Sequence, residues 1–169
     1  MKTRNVIKII SVYLLLSALT CVFYLFLVIF KQEELNTLGA WFSVVVPGLI
    51  IGVTIFNAID TLVSKRQDSL RRGSVINGVI FALQSITLFT DGFYYRYTQG
   101  NKLFFFINFE HLTKDIRWGI YFEPMVLDFN LKFDSSDNTL VGINFMALVL
   151  AVVSFWMAGI VKERLDIKE

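Results

Sequence analysis

Four stretches of this chain carry no charged side chain over lengths near or beyond that of a bilayer crossing: residues 9–30, 35–59, 73–90 and 138–161. A hydrocarbon core of about 30 Å takes roughly 20 helical residues, with about 17 as the lower bound. The first, second and fourth stretches pass easily; the third only just does. Each is expected to be a helix, because unpaired backbone is costly in lipid and none shows the two-residue alternation of a membrane barrel. Composition agrees: 55% of residues are hydrophobic, 18% are charged and mean hydropathy is +0.60, which is too apolar for an ordinary soluble domain. The expected fold class is a mainly α membrane protein forming one integral domain over 1–169. Its four transmembrane helices fall at about 8–30, 38–62, 74–91 and 139–161.

Lys2, Arg4 and Lys8 precede the first apolar run, as in a secretory signal, but the run is too long for a signal core and no small-x-small site ends it. The sequence LSALTC, ending at Cys21, is a poor lipoprotein site because the apolar run continues past the cysteine. Cys21 is expected to be a small packing residue, and a single cysteine allows no internal disulfide.

Basic residues are unevenly distributed. Three precede the first span, four lie in SKRQDSLRRGS (Lys65, Arg66, Arg71 and Arg72) and three lie in the tail. Short loops rich in Lys and Arg stay cytoplasmic, so both termini and this loop are expected inside. The insert, 92–138, is then extracytoplasmic. It reads as strand: FYYRY, LFFFINF and IRWGIYF are aromatic and β-favouring, with TQGNK as a turn between the first two. In MVLDFNLKF, Leu127, Phe129, Leu131 and Phe133 alternate with Asp128, Asn130 and Lys132, which indicates one buried and one wet side. A small antiparallel sheet is expected, its apolar face resting on the helix ends and its Tyr and Trp rings at headgroup depth. Recognition of a protein or lipid by its outer surface is the functional alternative.

Helices in lipid associate through small residues and occasional polar contacts. Ala147, Ala151, Ser154 and Ala158 form one such stripe, and Gly48 and Gly52 form another near Pro47, which is expected to bend its helix. Both fit packing within a subunit or between copies, and a homo-oligomer is expected. Asn57, Asp60, Asn77, Gln84 and Asn144 are the polar residues of the spans. One reading lines an ion path with Asn57 and Asp60; the other treats the amides as interhelical hydrogen bonds and pairs Asp60 with Lys65 or Arg66. The basic loop holds anionic headgroups or docks an acidic cytoplasmic protein.

Catalytic, cofactor and metal sites are not expected: one histidine and one cysteine make no usual zinc site, and Glu110, His111 and Asp115 lack triad partners. The basic residues sit beside the bilayer without a soluble module, so direct nucleic-acid binding is not expected. Three classes remain: a non-enzymatic membrane subunit that couples to a cytoplasmic partner, an immunity protein against a pore-forming toxin, and a small channel or transporter.

Four spans with both ends inside, the basic SKRQDSLRRGS loop, and an aromatic strand-rich insert from GFYYRY to LKFDSSDN before the last helix resemble the small membrane subunit of the Kiwa anti-phage system. The resemblance is one of organisation, and no functional residue carries over. It implies an inner-membrane oligomer that detects phage attack at the envelope and recruits a cytoplasmic DNA-binding partner.

Overall fold

The computed structural model describes residues 3–31, 38–110, 114–132 and 138–166. These residues form four helices, α1 (Thr3–Lys31), α2 (Leu38–Val63), α3 (Gln67–Ser85) and α4 (Phe145–Asp166). Between α3 and α4 lie four strands, β1 (Ile86–Thr90), β2 (Phe93–Glu110), β3 (Asp115–Lys132) and β4 (Asn138–Asn144). Among the described residues three helical segments are long and apolar enough to cross a membrane: Thr3–Leu27, Val44–Val63 and Phe145–Leu165.

The third expected span is corrected. Helix α3 begins among the charges Asp68, Arg71 and Arg72 and ends at Ser85, where Ile86 turns extended (φ −117°, ψ 137°). Its charge-free part, 73–85, is only about 20 Å long at 1.5 Å per residue. The remainder of the uncharged run, ITLFT, is β-branched and aromatic and becomes β1. The fourth span is corrected at its start in the same way: 138–144 is strand, and α4 starts at Phe145. The sheet therefore begins at Ile86 and ends at Asn144, beyond both bounds of the expected insert, and the chain is a mixture of helix and sheet.

One end of the bundle gathers the α2–α3 turn, the start of α1 and the end of α4. There Ile7, Leu70, Met157 and Val161 pack together and Lys8 Nζ donates to the Leu62 carbonyl at 2.7 Å. We call this the basal end. The next layer of the core is Ile10, Leu14, Ile80, Phe81, Ala147 and Ala151, and a third cluster joins Ala18, Cys21 and Ile51 to Leu127 of β3. Cys21 is thus a buried packing residue.

The strand registers fix an unusual sheet. Thr87–Thr90 of β1 pairs antiparallel with Phe93–Arg96 of β2, and 86–89 of β1 also pairs antiparallel with 140–143 of β4. In turn β4 pairs antiparallel with the other half of β2, 104–110. Because β1 and β4 run in opposite senses, the two halves of β2 must also do so, and β2 doubles back near its middle. The bend falls at Gly100, whose φ of +98° is a conformation open to glycine. TQGNK is therefore the vertex of one continuous strand, not a turn between two. β3 follows β2 along its length, with a register shift opposite Gly100 and Lys102 and with Met125 at φ +50°. IRWGIYF and MVLDFNLKF, expected as separate strands, are the two arms of β3. The sheet curls so far that Arg96, on the first arm of β2, reaches Tyr121 on the first arm of β3 at 3.5 Å.

Candidate functional site

Between its two paired arms, one edge of β2 has no neighbouring strand among the described residues, and three side chains take that strand's place. Gln99 N–H donates to Gln84 Oε1 of α3 at 3.3 Å, Asn101 N–H to the Tyr13 hydroxyl of α1 at 3.0 Å, and Leu103 N–H to Asn144 Oδ1 at 3.2 Å. The donors are spaced by two because alternate N–H groups of a strand point to the same edge. Each acceptor comes from a different element, so the vertex of β2 is held among α1, α3 and the start of α4. Asn144 also caps α4, accepting from Ala147 N–H at 3.5 Å. Tyr97 to Gly100 are all buried, unlike the alternation of a half-covered strand. The Tyr97 hydroxyl donates to Gln99 Oε1 at 2.6 Å. The Nε2 groups of Gln84 and Gln99 and Nδ2 of Asn144 find no acceptor among the described residues, which leaves the vertex rich in donors.

The concave face of the sheet carries charge. Lys102 Nζ lies 3.4 Å from Glu123 Oε2 and 4.7 and 4.9 Å from the ring centres of Phe104 and Tyr121, with its side chain only 1% exposed. A lysine this enclosed is held by ring faces as much as by its carboxylate. Arg96 pairs with Asp128 at 2.9 Å and lies 5.5 Å from the centre of the Phe89 ring. Gly142 and Gly119 make room for the rings of Phe104 and Phe106; a Cβ at either glycine would strike the ring. The expected wet side of MVLDFNLKF is thus the inner side, with Asp128 facing Arg96, while Leu127 packs on α1 and α2. Sequence reasoning assigned no role to Lys102, Glu123 or Arg96; the alternation of charge with aromatic residues along YYRYTQGNKLFFF was the available signal.

A second polar layer lies nearer the basal end. Asn57 Nδ2 donates to Asn77 Oδ1 at 2.6 Å and to the Gly73 carbonyl at 3.2 Å, and Asn77 Nδ2 lies 3.5 Å from Ser11 Oγ. The amides join helices, as one of the two sequence readings holds. Gly73 is required here, since a Cβ would run into Thr61. Asn57→Ala is expected to lower stability by about 1 kcal/mol, since it removes both bonds and interhelical hydrogen bonds in membranes average about 0.6 kcal/mol. A thermal midpoint in detergent equal to that of wild type would count against this network.

Asp60 pairs with Arg72 at 2.9 Å, not with Lys65 or Arg66. Ala147, Ala151, Ser154 and Ala158 are buried within the subunit, so that stripe is an internal seam. The glycine pair of α2 behaves otherwise: among the described residues a Cβ at Gly48 would meet only Leu25, and one at Gly52 would meet open space. Both line an open groove shared with Asn57, Asp60 and Arg72. At the basal end Lys65, Arg66, Arg71 and Arg72 are exposed, as are Arg4, Lys162 and Arg164. His111 lies outside the described residues.

Fold and site define a helical bundle of membrane type with a bent strand pair wedged into it. No protein-family model, curated protein or solved structure matches the chain.

Proposed function

We propose that the protein is a non-enzymatic inner-membrane subunit of a bacterial defence complex, with its basal end in the cytoplasm docking an acidic protein partner. The observation that carries this reading is the gathering of exposed cations from three separate segments at one end: Arg4 at the start of α1, Lys65, Arg66 and Arg71 in the α2–α3 turn and the start of α3, and Lys162 and Arg164 at the end of α4. Such a cluster favours the cytoplasmic leaflet and complements an acidic surface. Of the organisation shared with the Kiwa membrane subunit, the basic loop and the strand-rich insert before the last helix, though not four spans, support the defence role. The vertex contributes rigidity: a strand pair fastened to three elements couples events on the sheet side to the helices that end at the basal turn.

Charge reversal of Lys65, Arg66 and Arg71 together is the test. Arg72 is left intact because it neutralises Asp60. The tagged protein, purified in mild detergent, is expected to bring down a cytoplasmic protein that the reversed variant loses at least tenfold, with the thermal midpoint unchanged because exposed charges contribute under about 1 kcal/mol each. Purification of the chain alone, or equal recovery of the same partner by the variant, would remove the reading.

A further inference from the structure

Among the described residues the first arm of β3, from Ile116 to Phe122, ends the sheet, and it is exposed except at Gly119 and Tyr121. Its outward groups can be identified. Leu103 N–H faces away from β3, toward Asn144, so the alternate residues of β2 (Lys102, Phe104, Phe106) direct their N–H and C=O groups at β3. Their register partners Glu123, Tyr121 and Gly119 then bond back to β2. The remaining residues, Ile116, Trp118, Ile120 and Phe122, turn their backbone groups to the free edge.

The same four residues present exposed apolar side chains on the convex face, Trp118 at 71%. The register puts them on the side opposite to Lys102, Glu110, Arg117 and Glu123, and the Arg96–Tyr121 contact puts Arg96 and its partner Asp128 on that charged side too, so the convex side of this arm carries no charge. The vertex next to this arm lies deep. Gly100, at the vertex, abuts Tyr13 and Ser17, and Leu127 packs on Ala18, Cys21 and Ile51, all well inside two segments of spanning length. Neither environment suits an unpaired apolar edge: in hydrocarbon its N–H and C=O groups have no partner, and in water it is a template for aggregation.

We propose that the edge is closed by a second copy of this chain, pairing antiparallel with the same arm of β3 about a two-fold axis at Ile120. That register is self-complementary. Ile120 meets Ile120 of the second copy in a hydrogen-bonded pair, as its outward backbone groups require. Trp118 meets Phe122 on the convex side, twice, and Arg117 meets Glu123 on the concave side, twice. The latter are non-hydrogen-bonded pairs, where side chains approach most closely. Arg117 and Glu123 are suited to this because their side chains are 68% and 48% exposed despite their contacts within the subunit. Pro124 would oppose Ile116 and end the ladder, because it has no N–H to donate. A shift of the axis to Gly119 sets Asp115 against Glu123, where like charges facing across strands disfavour it, and a shift to Tyr121 sets Arg117 against Met125 and loses both ion pairs. The proposal goes beyond the cytoplasmic docking reading and does not depend on it.

Thiol cross-linking tests it in the full-length protein, in lipid nanodiscs. In a Cys21→Ala background, Ile120→Cys is expected to give a covalent dimer with a short bifunctional thiol reagent. Leu103→Cys, exposed on the same convex face but on β2, is expected to give at least about tenfold less, since it lies more than one strand spacing from the axis. A second measurement guards against misfolding of these variants: native mass of the unmodified protein is expected to show an even number of copies, and Trp118→Lys is expected to lower dimer affinity by a factor of ten or more. A monomeric unmodified protein would overturn the proposal, whether lipid or another protein covers the edge. So would cross-linking at Leu103 in preference to Ile120.

Discussion

Replacing Gly100 with valine is expected to cost about 4 kcal/mol and to release the strand vertex from the bundle. Two effects add. A left-handed backbone costs an L-residue about 1–2 kcal/mol. Overpacking costs about 1–3 kcal/mol more, because a Cβ at Gly100 lands on Ser17 Oγ and 2.8 Å from the Tyr13 hydroxyl. Moving the strand away from α1 also strains the bonds from Gln99, Asn101 and Leu103 to their side-chain acceptors, each worth about 1 kcal/mol. For a chain of this length the loss corresponds to a drop of roughly 10 °C in thermal midpoint. Gly159→Ala is the control: nothing lies within 4 Å of its Cβ position, and its helix should gain up to about 1 kcal/mol. A Gly100→Val protein that melts with wild type would show that the vertex is not wedged.

Removal of the Glu123 carboxylate should hurt more than removal of the lysine it faces. Glu123→Ala leaves the Lys102 ammonium enclosed, with its two aromatic faces and no anion. Breaking a buried pair from one side costs about 3–5 kcal/mol. Glu123 is itself half exposed, so screening by solvent puts the expected loss nearer about 2 kcal/mol. Lys102→Met puts an apolar chain of similar length between the same two rings and should cost under about 1.5 kcal/mol. The double variant should melt close to Lys102→Met, since no uncompensated charge remains. Unfolding in mixed detergent reads all three midpoints. If Lys102→Met proved the most damaging of the set, the pair would not be a case of charge compensation.

The helices were the most legible part. Charge-free length located α1 and α2 to within a few residues, because the cost of a charge in lipid depends on sequence alone. The same criterion failed at ITLFT and NTLVGIN, since an uncharged β-branched segment reads equally as the end of a helix or as a strand. Asn144 was visible as an intramembrane amide but not as the cap of α4, although an Asn directly before an apolar run is a recognised start signal. At Gln84 the sequence offered an amide without its partner, because the N–H it accepts lies fifteen residues along, on a strand whose bend is not local. Glycines divided the same way. Gly48 and Gly52 were legible as a close-approach motif, yet the contact is made by Gly73 on Thr61 and Gly78 on Phe155, across helices whose relative rotation no local pattern gives.

By itself the sequence determined which segments are too apolar for water, where the cations lie and that the region rich in Tyr and Phe is strand, because solvation and backbone preference act on each residue where it stands. Tertiary structure alone decided that β1 and β4 join the two arms of one bent strand, and that Lys102 and Arg96 are turned inward. It also put three side chains from distant elements in place of a missing neighbour strand. Those outcomes follow from satisfying every backbone N–H at once, a condition on the whole chain that no single segment expresses.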